Sequence, residues 1–113
     1  MTLPHPLSGE LAEQIAQRFR VLGEPMRIRI LDLLRDGETS VQELTDRLGT
    51  TQQNVSKHLG ILHGAGIVSR RRDGNRVLYA IADESVFELC DAVCGGLRRR
   101  LAELDELLAG ASR

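Results

Sequence analysis

The sequence of 113 residues lacks any long apolar run. No segment approaches the roughly 18 apolar residues that a membrane-spanning helix needs. The first nine residues, MTLPHPLSG, lack the basic and then apolar order of a secretory signal. Only two cysteines occur, which is too few for a small scaffold held together by disulfides. We therefore expect a cytoplasmic protein with no membrane partner.

Catalytic signatures are missing as well. The sequence offers no nucleophile–base pair, no glycine-rich phosphate loop and no carboxylate cluster with a pocket to hold it. An enzyme is therefore the weakest functional class. What the chain does have is 42% hydrophobic residues, enough for one small domain with a packed core.

The net charge of −1 hides an uneven distribution of charge. Residues 82–108 carry seven acids and three arginines. Residues 51–79 carry one acid, Asp73, against five basic residues: Lys57, Arg70, Arg71, Arg72 and Arg76. Positive charge gathered on one face is typical of a DNA-binding surface.

Apolar spacing predicts two helices in the first third of the chain. Residues 1–7 contain two prolines and no periodicity, so we expect a flexible arm. Ser8 can cap a first helix whose apolar residues are spaced by 4, 4 and 3. Glu24-Pro25 ends that helix, because proline suits the first turn of a new one. Residues 28–34 then predict a strongly apolar second helix.

A helix-turn-helix follows. Ser40 and Glu43 form a capping box at the head of a third helix. Gly49 supplies a sharp turn, and Thr50 with Gln53 repeats the capping box at the head of the fourth. Two short helices joined by a tight turn are typical of this DNA-binding motif.

A hairpin and a long helix complete the domain. Residues 67–72 and 76–81 flank Asp73-Gly74-Asn75, a good turn signal, and we interpret this hairpin as a wing. A last helix is expected from about Asp83 to Leu108, with residues 109–113 as a short tail. The expected fold is mainly α with a small β-hairpin, a winged helix-turn-helix of order α-α-α-α-β-β-α over residues 8–108.

The fourth helix has two contrasting faces. Val55, Leu59 and Leu62 anchor one face at spacings of 4 and 3. The other carries amides that can pair with adenine, and hydroxyl and amine groups for other base edges or phosphates. With two helix starts and the wing, the predicted DNA contacts are Ser40, Thr51, Gln52, Gln53, Asn54, Ser56, Lys57, His58, Arg72 and Arg76. The alternative for each is a solvated helix face, and for His58 a hydrogen bond that stabilises the turn.

Apolar stripes on the first and last helices predict a homodimer. Leaving both stripes in water would expose more apolar surface than monomers usually tolerate. A dimer would also match two recognition helices to two major-groove half-sites. The alternative is that both stripes lie in one intramolecular core. The predicted interface comprises Leu11, Ile15, Phe19, Val86, Val93, Leu97, Leu101 and Leu104.

Three segments resemble the ArsR/SmtB family of bacterial winged-helix repressors: LGEPMRIRILDLL (22–34), VSKHLGILHGAGIV (55–68) and RRRDGNRVLYAI (70–81). With the flanking helices, the resemblance covers about residues 8–108. It implies a homodimer that binds an operator in double-stranded DNA, represses its own operon and lets go when an effector binds.

The metal sites that the resemblance implies are mostly lacking. The helix before the recognition helix reads VQELTDRL, without the thiols of one family site. On the last helix Asp83 matches the first ligand of another, but Ser85, Gly96 and Arg99 stand where its histidines belong. One carboxylate cannot hold zinc, which takes about four ligands. We interpret Asp83 as a helix N-cap and assign no metal site.

Cys90 and Cys94 leave the effector open. Four residues apart, they share one face of the last helix near the expected dimer seam. One interpretation is that Cys90 fills an apolar stripe position as a small hydrophobe, with Cys94 beside it. The others are that the pair binds a transition metal or arsenite as soft ligands, or senses oxidation with the partner's thiols. We take His5 and His63 as incidental. The competing functions are a winged-helix interaction module that acts with a separate sensor protein, and a regulator that needs no effector.

Overall fold

A computed structural model describes residues 2–111 of the chain. The elements are α1 Gly9–Leu22, α2 Pro25–Leu34, β1 Thr39–Ser40, α3 Val41–Leu48, α4 Gln52–Gly64, β2 Val68–Asp73, β3 Arg76–Ile81 and α5 Ser85–Ala111. The predicted class, mainly helical with a small hairpin, is confirmed. The predicted order lacked β1.

Side chains fix the starts of the helices. Ser8 Oγ accepts a hydrogen bond from the backbone N–H of Leu11 at 3.1 Å, and Ser40 Oγ accepts one from that of Glu43 at 3.1 Å. Such caps satisfy amides that have no partner within the helix, and each stabilises a helix by about 1 kcal/mol. Both caps were predicted from the sequence, and both are confirmed.

The cap of α4 is Thr51, one residue later than predicted. Thr51 Oγ1 accepts from the backbone N–H of Asn54 at 3.1 Å, whereas Thr50 Oγ1 accepts from the Asn54 side-chain amide at 3.2 Å. Gly49 adopts a left-handed φ of 66° and ends α3, leaving two consecutive threonines able to cap. The residue pattern did not separate them, and the choice of Thr50 was wrong.

The sheet has the order β1-β3-β2 and is antiparallel. β1 pairs Thr39 with Tyr79 and Ser40 with Leu78, so it joins the head of α3 to the hairpin. Two residues are too few to show the alternation that predicts a strand, which explains why β1 was missed.

The wing turns over Gly74 and Asn75, beyond the last strand pair, Asp73 with Arg76. Gly74 has a φ of 62° and no non-glycine residue among those described has a positive φ. A positive φ at the first central residue alone matches a type II′ turn, which suits the twist of a hairpin and favours glycine there. The hairpin prediction is confirmed.

The apolar core lies among α2, α3, α4 and the sheet. The predicted inner face of α4, Val55, Leu59 and Leu62, is fully buried. Further buried side chains are Ile30, Leu31, Leu34, Leu44, Ile67, Val68 and Leu78. This core holds α4 by one face and leaves its other face at the surface.

Residues 83–111 form a second compact unit, separate from residues 2–82. Asp83 Oδ1 accepts from the backbone N–H of Ser85 at 3.0 Å, which fits the predicted capping role of Asp83. The helix continues past Leu108 to Ala111, and Ser112 and Arg113 of the expected tail lie outside the described residues. Across residues 2–111, no helix is long and apolar enough to cross a membrane.

Candidate nucleic-acid interface

The outer face of α4 presents four polar side chains. Gln52, Gln53, Ser56 and Lys57 are exposed, whereas the apolar residues Val55, Leu59 and Leu62 are buried. In the described chain, none of the four is engaged in a side-chain hydrogen bond or ion pair with another protein group. Their donors and acceptors are therefore available to an external partner.

The predicted residues at the turn have some of their polar groups occupied. Asn54 is half-buried and donates its side-chain amide to Thr50, so it helps to hold the turn. The hydroxyl oxygens of Ser40 and Thr51 accept helix amides. Each hydroxyl keeps its proton to donate, and the nearby helix starts favour an anion.

The predicted DNA contact from His58 needs correction. His58 is only 6% exposed, because it follows Val55 by three residues and precedes Leu59 on the buried side of α4. Its Nδ1 lies 3.7 Å from Glu24 Oε2 and has no hydrogen-bond partner in the described structure. His58 therefore packs against the head of α2 and does not reach the outer face.

An open groove of about 530 Å³ runs between α3, α4 and the wing. It brings together Ser40, Gln52, Ser56 and Arg76 from the predicted set. The sequence missed three further polar lining residues, which are Gln42, Arg70 and Asn75. A signal for Arg70 was present, since alternation along the strand puts it on one face with Arg72, and Arg72 was predicted.

The three consecutive wing arginines differ in orientation. Arg70 lies opposite Tyr79 in the strand register, and Arg71 lies opposite Leu78. Cross-strand partners share a face and successive residues alternate. Arg70 and Arg72 therefore lie on one face of the hairpin, and Arg71 on the other.

Arg71 is held by an acidic partner. Its Nε and Nη2 donate to the two carboxylate oxygens of Glu38 at 2.7 and 2.6 Å. These hydrogen bonds lower the pKa of Glu38 and raise the pKa of Arg71. A forked pair of this kind is among the stronger polar contacts, so Arg71 is committed to the protein.

Arg72 and Arg76 are both exposed. Arg76 Nη2 lies 3.5 Å from Asp73 Oδ2, whereas Arg72 has no ion-pair partner among the described residues. The tip of the wing thus carries one free and one loosely paired guanidinium.

The predicted dimer residues are divided between the two units. On α1, Leu11 and Ile15 are half-buried and Phe19 is 53% exposed. On α5, four side chains are between 38% and 61% exposed: Val93, Leu97, Leu101 and Leu104. Val86 is 2% exposed in the single chain and is corrected, because it has almost no surface left for a partner. Leu107 and Leu108 are each 67% exposed; the apolar spacing of the last helix includes Leu108 but not Leu107.

The candidate effector residues lie on α5. Cys90 is half-buried and Cys94 is exposed, and both are free thiols. Within residues 2–111, no group of three or more histidine, cysteine or acidic residues is arranged to hold a metal ion.

Comparison with known proteins gives both sequence and structural relatives. A helix-turn-helix domain family matches residues 22–71. The HTH-type transcriptional regulator Rv0081 of Mycobacterium tuberculosis is 42% identical over 102 residues, which cover 86% of this chain and 90% of that protein. The HTH-type transcriptional repressor SmtB of the same organism is 40% identical over 93 residues, covering 81% and 69%.

Solved structures agree with the fold. The crystal structure of M. tuberculosis Rv0081 superimposes with a TM-score of 0.76 at 40% identity, covering 85% of this chain and 97% of that one. The homodimeric winged helix-turn-helix DNA-binding domain Mb0332 of Mycobacterium bovis, a possible ArsR-family regulator, gives 0.72 at 32% identity, covering 89% and 94%. The transcriptional repressor BigR of Xylella fastidiosa gives 0.67 at 31% identity, covering 74% and 86%.

Proposed function

The chain belongs to the ArsR/SmtB family of winged-helix transcriptional regulators, and on this premise we propose that it binds its operator as a homodimer and represses transcription. The observation that carries the proposal is the unpartnered polar face of α4 beside a groove lined by wing arginines. A DNA-binding regulator acts where the chromosome lies, so its place in a bacterium is the cytoplasm.

α4 enters the major groove, where Gln53 and Ser56 contact base edges and Lys57 contacts phosphate. The support is that these side chains are exposed and lack protein partners among the described residues. Ser40 and Thr51 donate hydroxyl protons to phosphates from helix starts. Arg72 and Arg76 reach the DNA backbone or the minor groove from the wing.

The homodimer forms through α1 and α5. What supports this is the apolar surface of both helices, which includes Phe19 on α1 and Leu97 and Leu101 on α5. The related domain Mb0332 is a homodimer. Two-fold symmetry presents two copies of α4 to half-sites about 34–36 Å apart, or a multiple of that distance.

Operator binding tests the proposal. Purified protein is titrated into a labelled duplex from upstream of its own operon and into a scrambled duplex of equal length, across a series of salt concentrations. We expect tighter binding to the upstream duplex, by about 10³-fold or more, and a loss of affinity as salt rises. Equal binding to both duplexes, or none at low ionic strength, would contradict a specific regulator.

Soft ligands or oxidants act on Cys90 and Cys94 to release the DNA. Cys90 is half-buried and Cys94 is exposed on α5, the helix that we place at the dimer axis. Each protomer has two thiols, so a dimer supplies four at this axis. A tetrahedral site for a soft metal takes about four ligands, which one chain's thiols cannot provide. An effector must favour the DNA-incompetent arrangement, and such coupling is typically about 1–3 kcal/mol.

Changing both cysteines to serine should leave operator affinity intact and abolish release by arsenite, zinc or peroxide. Fluorescence anisotropy of the preformed complex measures the release, with the reduced wild-type protein as the control. A double variant that still releases DNA would exclude the thiols as the sensor.

The second candidate is a regulator that acts with a separate sensor protein. It is favoured by the acidic character of residues 82–108, seven acids against three arginines, and by the lack of a three-ligand metal cluster within residues 2–111. A DNA complex that resists every effector in the previous experiment but is released by a second protein from the same operon would select this candidate, whereas one that resists both would indicate an effector-independent regulator.

A further inference from the structure

The groove between α4 and the wing coincides with a fixed feature of duplex DNA. The major and minor grooves are separated by a single sugar–phosphate backbone. If α4 occupies the major groove and the wing approaches the neighbouring minor groove, that backbone must cross the space between them. We propose that Arg70 is the phosphate ligand at this crossing, an inference that rests on the proposed function.

The position of Arg70 supports this role. It lines the groove together with Gln52 and Ser56 of α4, and it shares its strand face with Tyr79, another lining residue. Its side chain is exposed. A phosphate in the groove would meet a guanidinium from the wing side and polar α4 side chains from the other.

Pairing and position together single out Arg70, because Arg72, which also lacks an ion-pair partner among the described residues, does not line the groove. Arg71 is committed to both carboxylate oxygens of Glu38, and Arg76 lies 3.5 Å from Asp73. The Arg70 side chain has no hydrogen bond or ion pair within the part of the chain that the structure describes. It can therefore bind a phosphate without giving up an existing contact, whereas Arg71 would first have to leave Glu38.

The chemistry matches the ligand. A guanidinium presents a planar fork of N–H donors that fits two phosphate oxygens at once. Phosphate contacts set position and affinity but carry no base identity. Arg70 should therefore strengthen binding to any duplex and should not select the operator.

A matched pair of variants tests the assignment. R70Q and R71Q remove the same charge from adjacent positions of one strand, one on the groove face and one on the other. Operator and scrambled duplexes are titrated across salt concentrations with wild type, R70Q, R70K and R71Q, and thermal melting of each protein confirms folding.

For R70Q we expect the slope of log K against log salt to flatten by about one per subunit, or about two per dimer. Affinity should fall by about tenfold per lost contact on both duplexes. R71Q should keep the wild-type slope. R70K should keep most of the salt slope, because the positive charge remains. Its affinity should be lower than that of wild type, because lysine lacks the two-pronged guanidinium.

Equal losses for R70Q and R71Q would overturn the inference and leave the proposed function standing. So would a wild-type slope for R70Q, or a loss confined to the operator. A wild-type protein that binds neither duplex would overturn the proposed function, and the inference with it.

Discussion

At the scale of single residues, the outer face of α4 separates two kinds of glutamine. Gln52 lines the groove beside the wing, whereas Gln53 is exposed but does not line it. One step along a helix turns the side chain by about 100°, so the two point differently. If a DNA backbone occupies the groove, Gln53 is the better placed of the two glutamines to contact base edges.

Replacing Gln53 with alanine should relax the choice of base at one position in each half-site. A good bidentate amide–base contact discriminates by about 1–3 kcal/mol, and its loss should flatten the affinity differences within a panel of singly substituted operators. Gln17→Ala is the control, because Gln17 lies on α1 outside the groove, is exposed, and accepts a hydrogen bond from Arg20 within its own helix. If Gln53→Ala weakens binding to every duplex equally, Gln53 contacts the DNA backbone and does not select a base.

Sequence reasoning identified most of the polar face because that face depends only on helical periodicity. It failed at His58, where a polar side chain occupies an inward position and is buried with an unpartnered Nδ1. It also passed over Arg70, because a run of three arginines does not reveal which of them a distant Glu38 holds. The sequence shows that all three arginines are charged. Only the fold shows that Glu38 pairs with Arg71 and not with Arg70.

At the scale of elements, local signals located the helices and the hairpin. Caps such as Ser8 and Ser40 act within three residues, so the sequence records them directly. Contacts between elements are not recorded in this way. Arg18 of α1 donates to the carbonyl oxygen of Ala65, the C-cap of α4, at 2.6 Å across 47 positions of sequence.

Removing the Arg18 contact should destabilise the domain. A cation at a helix C-terminus offsets the negative end of the helix dipole, and a charge-assisted hydrogen bond contributes about 1.5–3 kcal/mol. Because Arg18 is only half-buried, we expect a loss of about 1–2 kcal/mol for Arg18→Met, which keeps the apolar stem.

Urea unfolding followed by circular dichroism measures that loss. Arg20→Met is the control, since Arg20 is exposed and bonds only to Gln17 and Glu13 on its own helix in the described structure. Exposed pairs of this kind contribute about 0–1 kcal/mol. Equal midpoints for Arg18→Met and wild type would show that α4 does not depend on the contact.

At the scale of the whole molecule, burial is concentrated in one of the two units. Every core side chain except Val86 comes from residues 21–79. On α5, by contrast, Val93, Leu97, Leu101 and Leu104 keep large exposed areas in the single chain. The sequence predicted this stripe from its spacing. The spacing did not separate Val86, which is 2% exposed, from the exposed residues that follow it, because spacing alone does not reveal exposure.

Placing a charge in the middle of the stripe should therefore divide the dimer without unfolding the domain. In Leu101→Glu, a carboxylate replaces a side chain that is 61% exposed in the single chain, so the monomer should tolerate it. At a two-fold interface the same change buries two unpaired charges, which is strongly unfavourable. We expect sedimentation to give the monomer mass, with a cooperative melting transition that no longer depends on protein concentration.

The control is Ala102→Glu, which adds the same charge to an exposed position about 100° around the helix and should stay dimeric. Losing the second α4 removes the gain from simultaneous binding, so operator affinity should fall by about 10²-fold or more while one half-site is still bound weakly. A dimeric Leu101→Glu protein would place the interface elsewhere than on the α5 stripe. A monomer that keeps full operator affinity would mean that one copy of α4 with its wing is enough.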